Sequence, residues 1–319
     1  FLNLMIERNF PVNELRLFAS ENSHGHKINF GERHCFCSTL KEKCFEGLDL
    51  VFFSFGDEIS HKWAPVAVQS GAFAVDNSAA FRMSENHKLI VPEINGVLLP
   101  QSNQKREVIA NPNCSTIQLV MALTPLAVDF GISQVRVATY QSVSGAGREG
   151  KEELLNQLKS STPPKTFPHP IAFNSIPHIG SFDEDGFCSE EVKIRNETRK
   201  IMNMPRLDIS AFTVRVPTLN GHAEAVWVTL DQNVPIERVW ESLDNFKGLE
   251  FIPHKAPADY PTVKAADGQS PVYVGRVRKD PNDPKTIMMW VVADNLRKGA
   301  ALNGLQIAER ILSAKTHTS

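Results

Sequence analysis

Five short, mostly apolar runs, at 15–19, 48–53, 73–75, 89–91 and 108–110, punctuate the first third of the chain, with helix-like stretches between them. Each is too short and too apolar to be a surface hairpin. The pattern therefore predicts buried parallel strands joined by helical crossovers, the plan of a doubly wound, Rossmann-like α/β domain. Ligands of such sheets bind beyond the carboxyl ends of the strands. Ser20, Ser54, Gly56, Asn77 and Ser78 each follow a predicted strand and are expected to face one crevice.

Beyond residue 113 the texture changes. Longer alternating stretches at 135–141, 208–216, 222–230, 272–277 and 286–292 predict an antiparallel or mixed sheet with one covered face. Helices are expected at 149–159 and 189–202, a proline-broken loop at 163–177, and a last helix at 295–312 whose apolar face packs back on the first domain. The division is then an α/β domain of residues 1–113, completed by 295–319, and an α+β domain of residues 114–294. Phe1 stands where a methionine is usual, and Leu2, Met5 and Ile6 read as one face of a helix already in progress, so a preceding segment is expected.

At the junction of the two textures, Asn111-Pro112-Asn113-Cys114-Ser115-Thr116 follows the strand at 108–110 and leads into Ile117, Val120, Met121 and Leu123 at helical spacing. Ser115 and Thr116 are good helix-start residues. A thiol at a helix N-terminus meets unpaired N–H groups and a partial positive charge, which favour thiolate and hold an anion nearby. A buried structural cysteine is the competing reading. Further on, Arg215 to Glu224 reads as strand, Asn-Gly turn, strand, so Arg215 and His222 flank one loop. A guanidinium there suits a carboxylate and an imidazole suits proton transfer. The alternative is an ordinary surface or hydrogen-bonded histidine. Glu190 and Lys193, three apart on a predicted helix, are either a surface ion pair or a site for one cation and one anion.

Composition narrows the class. A chain of 319 residues with 42% hydrophobic and 22% charged content is ordinary for a globular enzyme and long enough for two domains. The mixed charges and net charge of −2 give no basic patch for nucleic acid, and no apolar run approaches a membrane span; the densest, 119–128, is broken by Pro125. Five unevenly spaced cysteines argue for a reducing compartment, with cytoplasm the default. Cys35 and Cys37, with His34 and Cys44 nearby, match no standard zinc spacing; strand alternation explains them more simply, and no metal is expected.

Five blocks carry a resemblance along nearly the whole chain: Asp76 to Met83, Ala110 to Thr116, Thr139 to Gly147, Arg215-Val216-Pro217 with Gly221-His222-Ala223-Glu224, and Val291 to Ala301. In that order they resemble the bacterial aspartate-semialdehyde dehydrogenases. The resemblance implies reversible reduction of aspartyl phosphate to aspartate semialdehyde with NADP as cofactor, in the pathway to lysine, threonine and methionine. It implies Cys114 as the nucleophile that forms a thioester, His222 as acid/base and Gln141 as the residue orienting substrate. Arg215 would bind the substrate carboxylate, Glu190 its ammonium group, and Arg82, Asn113 and Lys193 the phosphate. Cofactor contacts are implied at Ser20, Ser23, Ser54, Asn77, Ser78, Ser144, Gly145 and Asn295, and Glu224 is either a support of the site or an ordinary strand-edge carboxylate. A homodimer is implied too, with about 1,000 Å² or more of buried interface.

The resemblance has gaps. Its family opens with a strand and a Gly-x-x-Gly-x-x-Gly turn that holds the cofactor pyrophosphate; neither is in this sequence, and a molecule that began at Phe1 would be expected to have impaired dinucleotide affinity and to lack a central strand. Asn22 stands where the family usually has an arginine for the adenosine 2′-phosphate, which leaves Ser20, Ser23 and Lys27 to serve and loosens the preference for NADP over NAD. Asp57, in the bulkier segment 54–57, adds an unhelpful acid. Three other functions compete: a related acyl-phosphate reductase with another substrate, a non-catalytic truncated scaffold subunit, and a cysteine hydrolase using Cys114 and His222.

Overall fold

In the computed structural model, which describes residues 1–313, helix α1 (Leu2–Glu7) and strand β1 (Leu17–Phe18) precede a hairpin of β2 (Lys27–Phe30) and β3 (Arg33–Ser38). β1 pairs parallel with β3, and these strands form a three-stranded sheet of their own. The run at 15–19 is thus not a buried member of the main parallel sheet. Only two of its residues pair, both half-buried, with Phe18 set edge-on against Phe45. On β3, Cys35 and Cys37 flank the exposed Phe36 as alternation requires. α1 buries Leu4 and Met5 against Phe30, Leu302 and Leu305 and leaves Ile6 exposed, so its inner face is rotated from the one expected.

The other four apolar runs do build one parallel sheet. β4 (Leu50–Phe53), helix α2 (Asp57–Gln69), β5 (Phe73–Asp76), β6 (Lys88–Leu89), the short α3 (Pro92–Asn95) and β7 (Val108–Ala110) give a sheet in the order β4-β5-β7-β6, parallel throughout. Every residue of β5 and β7 is buried, which is why these strands read as continuous apolar runs. Their carboxyl ends place Ser54, Asn77 and Asn111 along one edge, where the Asn111 amide donates to Asn77 Oδ1 at 2.7 Å.

Helix α4 (Cys114–Phe130) then runs through the middle of the molecule and is apolar nearly all round, as a helix buried on every side must be. Pro125, expected to break this run, sits inside the helix without ending it. The proline forfeits one helical hydrogen bond, and burial of Leu119, Val120, Leu123 and Leu126 around it holds the helix together. No helix among the described residues is long and apolar enough to cross a membrane.

The rest of the chain is β8 (Ile132–Gln141), α5 (Gly147–Lys159), α6 (Ser189–Ile201), β9 (Asp208–Arg215), β10 (His222–Leu230), α7 (Ile236–Asp244), β11 (Leu249–Ile252), α8 (Val263–Ala266), β12 (Val272–Lys279) and β13 (Thr286–Ala293). Six of these form a mixed sheet ordered β11-β12-β13-β10-β8-β9, with parallel pairs at its two edges. The edge strand β11 escaped the sequence reading because four residues carry no usable alternation. A short π-helix at Arg297–Ala301 leads into α9 (Leu302–Ser313), which seats Ile307 and Ile311 against Phe73, Val75 and Ile109 of the parallel sheet and Ile90 just beyond β6. Residues 314–319 of the predicted C-terminal segment lie outside the described residues.

Candidate active site

Strand register does most of the assembly. Gln141, the last residue of β8, pairs with Arg215 of β9 on one side and His222 of β10 on the other. Three adjacent strands therefore deliver a guanidinium, an amide and an imidazole in one row, all buried. Below that row the inward positions of β8 and β10 run through Thr139 and Glu224 to Val137, Val135, Val226 and Val228. The covered face is polar at its site end and apolar elsewhere.

The N-terminus of α4 meets this row. Its N-cap is Asn113, whose Oδ1 accepts from the Ser115 and Thr116 N–H groups at 3.0 and 3.1 Å, so Cys114 is the first helical residue. Two N–H groups that an anion could have used are thus already satisfied. Asn113 is held from α6 as well: its Nδ2 donates to Glu190 at 2.8 Å and its main-chain N–H to Glu197 at 2.7 Å. Glu190 also accepts from Gln141 at 3.0 Å and lies 3.6 Å from Lys193. Arg82 reaches the group from the loop after β5, donating to Glu197 at 3.2 Å and to the Asn77 carbonyl at 2.8 Å. Cys114, Asn113, Gln141, Glu190, Lys193, Arg82, Arg215 and His222 are accordingly one cluster.

Its resting electrostatics differ from the thiolate expected at a helix start. Cys114 keeps some accessible surface, yet the protein packed around its thiol, and then the Glu190 carboxylate, push it up to about 12, against the pull of Arg215, Arg82 and the Ser115 N–H. Burial, and then Arg215, drive His222 down to about 3, only partly countered by the Gly221 backbone. The unliganded pair is therefore neutral thiol and neutral imidazole. His222 Nδ1 accepts from the Ser142 N–H at 3.1 Å, while Nε2 is buried without a partner among the described residues. Gly145 opens the space in front: a Cβ there would lie 2.7 Å from Arg215 Nη1 and 3.3 Å from His222 Nε2.

The residues proposed for cofactor contacts fall into two groups. Ser54 and Asn77 stand at the carboxyl ends of β4 and β5, and Ser20 and Ser23 bound the exposed turn after β1. Asn77 already spends its N–H on the Phe53 carbonyl, its carbonyl on Arg82 and its Oδ1 on Asn111, so the Ser20, Ser23 and Ser54 hydroxyls and the Asn77 Nδ2 are the groups left for a dinucleotide. Ser78, Ser144 and Asn295 are buried and spend their side chains internally: Ser78 donates to Asp76 at 2.6 Å, and Ser144 and Asn295 bond each other and Ser142. Asn295 Oδ1 also accepts from the Gly221 N–H at 2.9 Å, tying the turn at 143–146 to the start of β10 behind His222.

Two buried acids were missed or undervalued in the sequence. Glu197, 1% exposed, lies seven residues after Glu190, two helical turns along the same face; that spacing was legible, its partners were not. Glu224 is fully buried, neither carboxyl oxygen has a hydrogen-bond partner among the described residues, and burial holds it well above the usual carboxylate range, tempered by nearby Gln118.

Comparison with known proteins joins both sheets to one class. Residues 1–101 match the semialdehyde dehydrogenase NAD binding domain and residues 123–298 the semialdehyde dehydrogenase dimerisation domain. The chain is 44% identical over 319 residues to the aspartate-semialdehyde dehydrogenase of Aquifex aeolicus, covering 98% of this chain and 94% of that one. A crystal structure of aspartate semialdehyde dehydrogenase II from Vibrio cholerae, complexed with ASA, superposes with a TM-score of 0.92 at 41% identity over 99% of this chain and 94% of that one. The enzyme from Candida albicans, solved with NADP, shares the fold, with a TM-score of 0.73 at 21% identity over 98% and 95% of the two chains. On the strength of the first two, this chain belongs to the aspartate-semialdehyde dehydrogenase family.

Proposed function

We propose that this protein catalyses the NADP-dependent, reversible conversion of aspartyl phosphate to aspartate semialdehyde and phosphate. The observation that carries the reading is the convergence of Cys114, Gln141, Arg215 and His222 from α4 and three adjacent strands. Cys114 sulfur attacks the acyl carbon as His222 takes the thiol proton, the carbon–oxygen bond to phosphate breaks, and a thioester forms. Ser20, Ser23, Ser54, Asn77 and the turn around Ser144 and Gly145 would hold NADPH along the crevice, and the bound cofactor would supply the hydride for the thioester carbon. His222 protonates the oxygen of the resulting thiohemiacetal, takes that proton back as the carbon–sulfur bond breaks, and passes it to the departing sulfur, which releases aldehyde and restores the thiol.

Substrate completes the electrostatics. Arg215 binds the substrate carboxylate, and neutralising its charge removes one of the two causes that depress His222. Glu190 and Gln141 orient the amino group and the acyl group, while Arg82, Lys193 and the Asn113 amide face the phosphate. Glu224 and Asn295 support the walls. The functional division runs 1–113 with 295–313 for the cofactor and 114–294 for catalysis and pairing of two copies. The surface for pairing is the outer face of the mixed sheet, where Tyr140, Trp227, Trp290 and Phe212 lie half-buried or exposed, Phe212 at 58%. The place of action is the cytoplasm, consistent with five free cysteines.

The test is phosphate-dependent reduction of NADP with aspartate semialdehyde. Wild type turns over; Cys114→Ala loses turnover entirely while still binding aspartate semialdehyde. Turnover by Cys114→Ala above one-hundredth of wild type would remove Cys114 from the mechanism.

A further inference from the structure

We infer that Glu197 is a positioning residue that presets Arg82 for the phosphate and ties it to the nucleophile segment; the inference rests on the reading of Arg82 as a phosphate ligand. One Glu197 oxygen accepts from Arg82 Nη1 at 3.2 Å, and the other accepts from the main-chain N–H of Asn113, the residue before Cys114, at 2.7 Å. No other side chain among the described residues spans these two groups. Glu197 is 1% exposed and Arg82 8%, so each is the other's counter-ion in a dry setting. The Asn77 carbonyl takes a second guanidinium nitrogen at 2.8 Å, while Arg82 Nε is buried with no partner among the described residues. An arginine pinned at two nitrogens with a third left unpaired is an incomplete anion site, fixed in direction before the anion arrives.

The same helix secures the loop bearing Arg82. Lys200, three residues beyond Glu197, donates to the carbonyls of Arg82, Ser84 and His87 at 2.7, 2.7 and 2.9 Å. The main chain at residue 82 thus stays fixed when Glu197 is altered, and only the guanidinium is released. A released arginine must be immobilised again by each phosphate that binds, a cost of about 0.5–1.5 kcal/mol, or about two- to tenfold in affinity.

The experiment measures KM for phosphate and for aspartate semialdehyde in wild type, Glu197→Gln, Arg82→Ala and the double variant. Glutamine retains an acceptor for the Asn113 N–H and loses the anionic partner of Arg82. We expect Glu197→Gln to raise the phosphate KM about two- to tenfold, with the KM for aspartate semialdehyde changed less than about twofold, and to add nothing once Arg82 is alanine. A general loss of structure would raise both constants and act independently of Arg82, and either result overturns the inference, as does an unchanged or lower phosphate KM in Glu197→Gln. If Arg82→Ala leaves the phosphate KM unchanged, the reading of Arg82 falls and the inference with it. Should Glu197→Gln not fold, as judged by circular dichroism, Glu197→Asp, which keeps the charge one methylene further back, is held to the same criteria.

Discussion

A thiol pushed up and an imidazole pushed down give this site a distinct pH signature. His222 stands near 3 when folded against 6.5 ordinarily, so between those values the unfolded chain binds the extra proton and stability is lost as pH falls through that window. Cys114, near 12 against 9.0, makes the folded state bind the extra proton, so stability is lost as pH rises from 9 toward 12. Urea unfolding of His222→Gln is expected to show a flatter decline than wild type between about pH 6.5 and pH 4. Identical acid limbs would mean that His222 is not held neutral by the fold. Gly145 invites a second test: Gly145→Ala sets a methyl carbon 2.7 Å from Arg215 Nη1, which must shift, and should raise the KM for aspartate semialdehyde at least about tenfold, equal to 1.4 kcal/mol. A lowered melting temperature with normal KM would place the clash elsewhere.

Among the elements, α6 is the one whose importance was least visible in advance. Its charged, amphipathic sequence reads as a surface helix, yet it sends Glu190, Glu191 and Glu197 into the interior, and Glu191 caps its own start while accepting from the Thr213 N–H. Periodicity can say that these acids share faces; it cannot say that Asn113 and Arg82 wait opposite. The α4 start depends on this arrangement. Asn113→Ala removes an N-cap, at about 1 kcal/mol, and strips a donor from buried Glu190, at about 1–3 kcal/mol. Asn113→Asp keeps the cap and brings a third carboxylate beside Glu190 and Glu197. We therefore expect the alanine variant to be the less stable in thermal unfolding and the aspartate variant to lose more kcat, because Cys114 then faces added negative charge. The reverse ranking would show that the cap matters more to catalysis than the charge.

At the scale of the molecule, α4 is shared: the core that includes Leu119, Leu123 and Leu126 contains residues from β4, β5 and β7 as well as β8, β10, β12 and β13. One helix inside one continuous core predicts one cooperative transition despite the two matched family regions. Trp63 lies on α2, while Trp227, Trp240 and Trp290 belong to the mixed-sheet half, so single-tryptophan variants should report coincident midpoints. Leu123→Ala should cost about 2–5 kcal/mol of stability and lower both midpoints together; separated midpoints would show two independent units. The aromatic outer face carries the last expectation: if two copies pair through it, Trp290→Asp halves the mass seen in sedimentation, and an unchanged mass would argue against pairing through this sheet.

Sequence alone determined a good deal. Buried parallel strands fitted all five apolar runs better than surface hairpins, because continuous apolarity suits a strand covered on both faces, and four of the five pair that way. The alternation at 222–230 fixed β10 to the residue, and the ordered blocks from Asp76 to Ala301 carried the family. What tertiary structure decided was which residues met and in what charge state. Register set Gln141 between Arg215 and His222, since pairing across strands is a long-range choice that no local window contains. Helix-start chemistry pointed to thiolate at Cys114. Burial and the Glu190 carboxylate overrode it, because desolvation depends on everything packed around the sulfur and the helix N-terminus is only one neighbour among many.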